Sequence, residues 1–462
     1  MSKETRLQNM PQDPKFLKII GPSIILLGLG LGSGELILWP HLVSNYGLGI
    51  IWAAMLGITF QFFINMEIER YSLVHGESIF VGFAKYFKSA PYWFIFSTFI
   101  GWVWPGIIAS SASLLGTLLR ISDIKYLAIG LLLIIGLILT LGPSLYKTVE
   151  RFQKILIGFG VPLIALVTFL IVRSADWAAL SKGLVGIGEG YNFLPAGIPL
   201  FTFLAAIAYS GAGGNLNLAQ SFYIKEKGYG MCKGTRGISS VLSGESPTHS
   251  LEGKTFTLND FNKSRFFTWW RIVNLEHLLV FLLTGAVTIL LLALLSYATT
   301  RGVGLNVKDI NFMEIEAEHI SNFLAPFFGG LFLFLTGLML FGTQLTVLDS
   351  TSRIMAENVV IIERKTNLNS TYYIILWLQI FAGIAILLSG FSNPISLVVT
   401  GAVINALAMF VHIAMTYYLN KKALPRELQI SWWRKTIIFV TWVFFGVLSI
   451  WAIVDGIAKF KM

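Results

Sequence analysis

Charge is what this chain has least of for its size. Asp, Glu, Lys and Arg together make up 13% of its 462 residues, against about a quarter in a water-soluble domain. That shortage excludes an ordinary soluble globular protein. Cysteine is scarcer still, with Cys232 the single one, in a polar loop. A disulfide framework and a cysteine-rich metal centre are therefore excluded. The signatures of soluble enzymes are also missing. There is no Walker phosphate loop, no HExxH, no GxSxG and no paired-carboxylate motif on a cytosolic domain. The chain is not read as an enzyme, and no cofactor is expected.

What fills the space is apolar. Hydrophobic residues make up 55% of the chain. Runs of about 20 apolar residues recur along it, each long enough to cross a bilayer. We count eleven spans: 17–45, 48–70, 92–118, 125–142, 150–173, 197–223, 270–298, 322–350, 371–390, 393–419 and 434–457. The first follows a polar tail and has no small-residue cleavage site after it. It is read as a retained helix rather than a signal peptide. The longest connection, residues 224–269, is polar and Gly/Ser-rich, and is expected to be a cytoplasmic loop.

The net charge of +10 could suggest a nucleic-acid partner, but the basic residues alternate with the loops instead. With the N-terminus inside, the cytoplasmic segments carry 26 of the 34 Lys and Arg. The positive-inside rule thus favours a cytoplasmic N-terminus, and an odd number of spans puts the C-terminus outside. The expected setting is the plasma (inner) membrane, with the lipid bilayer as the main partner and no nucleic acid. Trp39, Trp52, Trp93, Trp269, Trp270, Trp432 and Trp433 lie near span ends and read as interfacial anchors.

Two glycine-rich stretches fall at matching places in the two halves. Gly28-Leu-Gly-Leu-Gly-Ser-Gly34, followed by Glu35, lies in the first span, and Ser210-Gly-Ala-Gly-Gly-Asn215 lies in the sixth. A membrane helix is broken only where protein or a watery cavity takes up the freed backbone groups. Paired breaks across a repeat point to the central binding site of a transporter. The alternative for the glycines is close helix packing. Spans one to five and six to ten then form two five-helix units (16–175 and 195–420). An odd number of helices per unit inverts the second relative to the first, and an extra helix follows at 434–457. The expected fold class is an all-α polytopic membrane protein, a single transmembrane domain over 1–462.

Glu35 is the strongest single candidate for chemistry, because a buried charge at mid-membrane usually faces a cavity or a partner. Asn215 and Asn217 flank the second stretch. Their amide oxygens could complete a hard, oxygen-rich cation site with Glu35, or cap the restarted half-helix. The expected substrate-binding set is Gly32, Ser33, Gly34, Glu35, Ser210, Gly211, Ala212, Gly213, Gly214, Asn215 and Asn217. The metal-ligating set within it is Glu35, Asn215 and Asn217. Gln220 and Gln344 are weaker candidates. His41, Glu67, Glu69, Glu276, His277, Asp349, His412 and Asp455 are further ionisable groups in or near spans. Glu67 with Arg70, and Asp349 with Arg353, have the spacing of helical pairs.

The order of elements resembles the Nramp family of divalent metal transporters, which have the LeuT-type fold. The similarity lies in Gly21-Pro-Ser through Gly47, Leu73-Val-His-Gly-Glu77, Asn215-Leu-Asn-Leu218, and Gly337-Leu-Met-Leu340 through Glu357. The departures fall at functional positions. Where that family has Asp-Pro-Gly-Asn, this chain has Gly32-Ser33-Gly34-Glu35, and where it has Met-Pro-His, this chain has Ala212-Gly213-Gly214. The third-helix acids associated with proton movement fall at Ser97 and Trp104. The resemblance implies a LeuT-type 5+5 inverted repeat with an eleventh helix. It also implies alternating access at helices one and six. Loss of the thioether weakens any preference for soft metals, and loss of the third-helix acids makes proton coupling by that path weak or absent. Gly32-Ser-Gly34 with Pro40 also looks like the first-helix motif of amino-acid transporters of the same fold class. Two readings stay open: a transporter of hard divalent cations, and one of a small amino-containing organic solute. A receptor built on a transporter scaffold would need a signalling domain, which residues 224–269 are too short to form.

Overall fold

The computed structural model describes residues 8–12, 16–142, 144–234, 238, 251–300, 309–390 and 393–460. The described residues are mostly helical, with an isolated β-bridge between Ile187 and Asn192 and no strand among them. Ten helices are long and apolar enough to cross a membrane. They are span one (Pro22–Tyr46), two (Leu48–His75), three (Ala90–Leu119), four (Ile124–Leu141), five (Leu145–Ile171), seven (Asp260–Thr300), eight (Pro326–Ile362), nine (Leu368–Leu388), ten (Pro394–Ala423) and eleven (Trp432–Trp451). Span six is absent from that set because it is divided. Its two pieces, Leu200–Ala208 and Gln220–Lys227, are each too short to cross alone.

Burial sorts the helices into a centre and a rim. The most apolar stretch of span one is 94% buried within the protein, and that of span four only 28%. Spans five and nine turn Phe159, Phe169, Ile374 and Phe381 outward. Lipid tails are as apolar as those side chains, so exposure there carries no solvation penalty. Span one has no such outward face, and from Pro22 to Leu38 nearly every residue is covered. Span one is therefore the central helix, wrapped on all sides by its neighbours.

Several boundaries move from their expected places. Span seven starts as a helix at Asp260, because the Asn259 side chain accepts the Asn262 amide hydrogen and caps the first turn. The connection before it therefore ends at 259, and most of its middle lies outside the described residues. An unforeseen helix, Asn311–Phe323, precedes span eight. Cys232 is buried, not displayed in a polar loop. Its thiol donates to the Ser72 carbonyl at 3.3 Å, and burial pushes it up to about 12. Trp39 is fully buried and donates to Ser210, and Trp269 is 3% exposed, so neither is an interfacial anchor, whereas Trp432, at the start of span eleven, is 80% exposed.

Glu316, on the Asn311–Phe323 helix, is 2% exposed. Burial pushes its carboxyl up to about 8, opposed by a hydrogen bond from Ser296. The folded state therefore holds this proton after the unfolded chain has released it. Its contribution to stability is complete below about pH 4.5 and is lost as pH rises through about 8. Glu316→Gln is expected to flatten the fall of Tm across that window and to raise Tm at its alkaline end. Thermal melts of both proteins over a pH series check this.

Candidate functional site

The break in span six is built from backbone geometry that few residues other than glycine adopt. Gly213 and Gly214 have φ of +74° and +54°, the left-handed region where a β-carbon is strained. The first half-helix ends at Ala208, and the chain restarts as a 3-10 turn over Gly214–Ala219 before Gln220–Lys227. The freed backbone groups are met by side chains from other spans. Gln61 of span two serves both edges. Its Nε2 donates to the Ala208 carbonyl at 3.1 Å, and its Oε1 accepts the Gly213 amide hydrogen at 2.9 Å. His412 of span ten meets the Gly214 carbonyl through Nε2 at 3.1 Å. Asn405 donates to the Tyr209 hydroxyl at 2.9 Å. Irregular backbone at membrane depth is stable because these partners replace water.

The first glycine stretch does something different, and here the expected break is corrected. Residues 28–35 remain helical. The α-helix Pro22–Gly30 widens into a π-helix over Leu31–Leu38 and returns to α at Trp39. None of Gly28, Gly30, Gly32 or Gly34 has positive φ. Their role is close approach, as in small-residue packing. A β-carbon on Gly34 would lie 1.8 Å from the Tyr209 carbonyl oxygen, and one on Gly30 would lie 3.0 Å from Gly211. One on Gly32 would lie 2.5 Å from Thr343 of span eight. The two stretches therefore touch, with one wound wide and the other unwound. π-helical segments inside α-helices are rare and are frequent at functional sites.

The eleven candidate residues are all buried in this conformation. Glu35 is fully buried, and neither of its carboxylate oxygens has a hydrogen-bond partner. A β-carbon on Gly285 of span seven would stand 3.4 Å from its Oε1, so Glu35 looks toward span seven. Asn215 looks toward span three, where its Nδ2 donates to Ser97 at 2.8 Å and to Thr98 at 2.9 Å. Asn217 donates weakly to the Gly214 carbonyl at 3.4 Å. Neither amide oxygen caps the restarted helix; the Oδ1 atoms of Asn215 and Asn217 are both without a partner. Ser33 Oγ is likewise unpartnered. Ser210 is absorbed structurally, accepting from Trp39 at 2.9 Å and donating to Ala206 at 2.9 Å. Among the described residues, no three His, Cys, Asp or Glu side chains gather as a metal-holding group. Any cation held here would rest on one carboxylate and neutral oxygens. Buried polar atoms are normally paired, so the orphaned oxygens of Glu35, Ser33, Asn215 and Asn217 stand out among the described residues as free acceptors.

Aromatic rings stand beside the break. Trp102 stacks on Tyr209 at 5.1 Å, and Trp39 meets Phe203 edge-on at 6.0 Å. A β-carbon on Gly211 would lie 2.9 Å from Phe281. Gln61, Asn405 and Thr343 escaped the sequence reading. Gln61 left a signal, since Gln61, Asn65 and Glu69 recur every four residues along span two.

No known family model matches the chain, and no curated protein is similar to it. Solved structures are. The chain is similar to the manganese transporter of Eremococcus coleocola, solved in three mutant forms. Each has a TM-score of 0.71 and 15% identity, covering 99% of this chain and 91% of that one. It is also similar to MhsT in complex with L-phenylalanine, with a TM-score of 0.54 and 14% identity, covering 98% of this chain and 99% of that one. At such identities the likeness concerns the fold. This chain has the LeuT-type fold, two five-helix units followed by an eleventh helix.

Proposed function

We propose that this chain is a secondary transporter that carries a cationic solute across the membrane by alternating access. Its N-terminus would be cytoplasmic and its C-terminus outside. The observation that carries this is Glu35, a fully buried carboxylate with two unpartnered oxygens, beside the contact between the wide turn of span one and the break of span six. An unpaired buried charge is costly, so Glu35, when ionised, favours a positively charged passenger.

The leading passenger is a hard divalent cation such as Mg²⁺ or Mn²⁺. Glu35 would supply the charge, and the orphaned Asn215 and Asn217 oxygens with backbone carbonyls would supply neutral ligands. The manganese transporter has the higher TM-score of the similar structures described above, which supports this order. A second passenger class is favoured by the rings of Trp102, Tyr209 and Phe281, which suit the apolar part of an amino-containing organic solute.

Uptake into proteoliposomes separates the two. Mn²⁺ and Mg²⁺ are tested beside a panel of amines and amino acids, with Glu35→Gln as the paired variant. The substitution removes the charge at nearly constant volume. Cation uptake is expected to fall at least about tenfold, the loss of roughly 1.4 kcal/mol or more of interaction. Amine or amino-acid uptake that is lost in the variant, with no metal flux in either protein, would overturn the metal reading.

A further inference from the structure

Beneath the break, on the side assigned to the cytoplasm, lies a second group of buried polar side chains. Ser23 of span one stands between Glu276 and His277 of span seven. Its Oγ is 2.5 Å from Glu276 Oε2 and 2.7 Å from His277 Nδ1. Glu69 of span two accepts from Gln220, just past the break in span six, and lies within electrostatic reach of Glu276. Glu69, Glu276 and His277 are fully buried, and Glu69 Oε2, Glu276 Oε1 and His277 Nε2 have no partner.

From this geometry we infer that Glu276, Ser23 and His277 form a proton-binding relay, with Glu69 as the second acid facing it. Among the described residues, neither carboxylate has a cation of its own. Lys227 and Lys154, which act on Glu276 through space, are both held by Glu150, at 2.7 and 2.8 Å. Arg434, which acts on His277, lies 3.4 Å from Glu67. Tyr146 and Tyr229 also feel Glu276, and neither supplies a positive charge. Two buried carboxylates without counter-charge are stable only when at least one is neutralised.

A proton fits better than a metal ion. The Ser23 hydroxyl already makes direct contact with carboxylate and imidazole, whereas a hard cation needs six or more oxygens around it. The His277 ring is held between Phe62 and Phe281, stacked at 5.5 and 4.7 Å, with Nε2 left over. With Glu276 ionised, Ser23 donates to Oε2 and accepts from Nδ1–H. A proton arriving at Nε2 lets Nδ1 pass its hydrogen to Ser23 while Ser23 passes its own to Oε2. One proton enters and one carboxylate is neutralised. The ring changes tautomer and no other bond is altered. The polar stripe of span two joins the relay to the break. Gln61 spans the break, Asn65 stands one turn on with both amide atoms unpartnered, and Glu69 follows one turn later. That the proton drives transport rests on the transporter reading above; that it binds does not.

Infrared difference spectroscopy of the full-length protein in lipid nanodiscs, from acid to alkaline pH, tests the binding. A carboxylic-acid carbonyl band that titrates is expected, and Glu276→Gln should lose it. Ser23→Ala removes one hydroxyl and should keep the band at a shifted frequency. Size-exclusion profiles and thermal melts exclude unfolding as the cause. Identical difference spectra for wild type and Glu276→Gln overturn the proposal. Proteoliposome flux of Mn²⁺, with and without a proton gradient, supplies a second arm. Proton-stimulated flux that becomes pH-independent in Glu276→Gln supports it. Flux that responds only to a sodium gradient at fixed pH, and loses that response in Glu276→Gln, overturns it in favour of sodium. A titrating band lost in Glu276→Gln, with no flux of Mn²⁺ or of the organic panel, leaves the proton site standing and removes the transporter reading.

Discussion

Arg353→Ala is expected to destabilise the protein by about 3–5 kcal/mol, because it strips a buried network of the cation that both of its carboxylates contact. The Arg353 guanidinium is 1% exposed. Its Nε donates to both Asp349 oxygens at 2.9 Å, and its Nη1 reaches Glu226. Asp349 also accepts from Tyr372 at 2.8 Å and from Tyr223 at 3.4 Å. Without the guanidinium, two carboxylates are left facing each other in a protein interior. Residues Tyr223 and Glu226 belong to the far piece of span six, Asp349 and Arg353 to span eight, and Tyr372 to span nine. The network therefore pins the loose end of the broken helix to the bundle. The matching control is Lys154→Ala, which removes a lysine 41% exposed in its side chain. A pair so open to solvent contributes at most about 1 kcal/mol. Thermal unfolding of the two variants in one detergent measures the contrast. A double variant, Asp349→Asn with Arg353→Met, should recover part of the loss because it removes one acid with the base. Equal melting of wild type and Arg353→Ala would show that the network adds nothing.

The second large effect concerns the contact between spans one and six. Gly34→Ala places a methyl group 1.8 Å from the Tyr209 carbonyl oxygen. The obstacle is backbone, so no rotamer change relieves it. Overpacking of this kind costs roughly 1–3 kcal/mol, and more where backbone must move. Here it also separates the two stretches proposed to carry the site, so the proposed transport should be abolished in whatever protein still folds. Gly130→Ala is the paired control, since a β-carbon there meets nothing within 4 Å. Replacing that helical glycine is expected to be neutral or to stabilise by up to about 1 kcal/mol. Melting temperature and solute uptake, measured on both, distinguish packing from composition. Retained uptake in Gly34→Ala would mean that spans one and six are not held together through this contact.

Local pairings along one helix were readable from spacing. Glu67 with Arg70 and Asp349 with Arg353 are ion pairs at 2.8 and 2.9 Å, as their i,i+3 and i,i+4 positions require. Glu226, which completes the second pair, comes from a different helix and left no mark in the local pattern. The same holds for Gln61 at the break. Its polarity every fourth residue with Asn65 and Glu69 was visible, but which backbone it faced was not. Glu35 was singled out by charge alone in an apolar run, and it is buried and unpartnered. That it lies beside Gly285 of span seven, while Asn215 bonds Ser97 and Thr98 of span three, is a tertiary fact that local spacing does not carry.

The sequence by itself determined the membrane class and the number and order of spans, and it supplied the cytoplasmic N-terminus as an expectation. Those follow from apolar run length and charge count, which are properties of a segment and its solvent. Tertiary structure alone decided which of two similar glycine stretches would unwind. Gly213 and Gly214 leave the helix because Gln61 and His412, from spans two and ten, stand ready to bond the freed amide and carbonyls. Gly28 to Gly34 stay helical, their bare faces pressed against Tyr209, Gly211 and Thr343. Glycine permits both outcomes, and the choice rests on what the neighbouring helices present to the backbone.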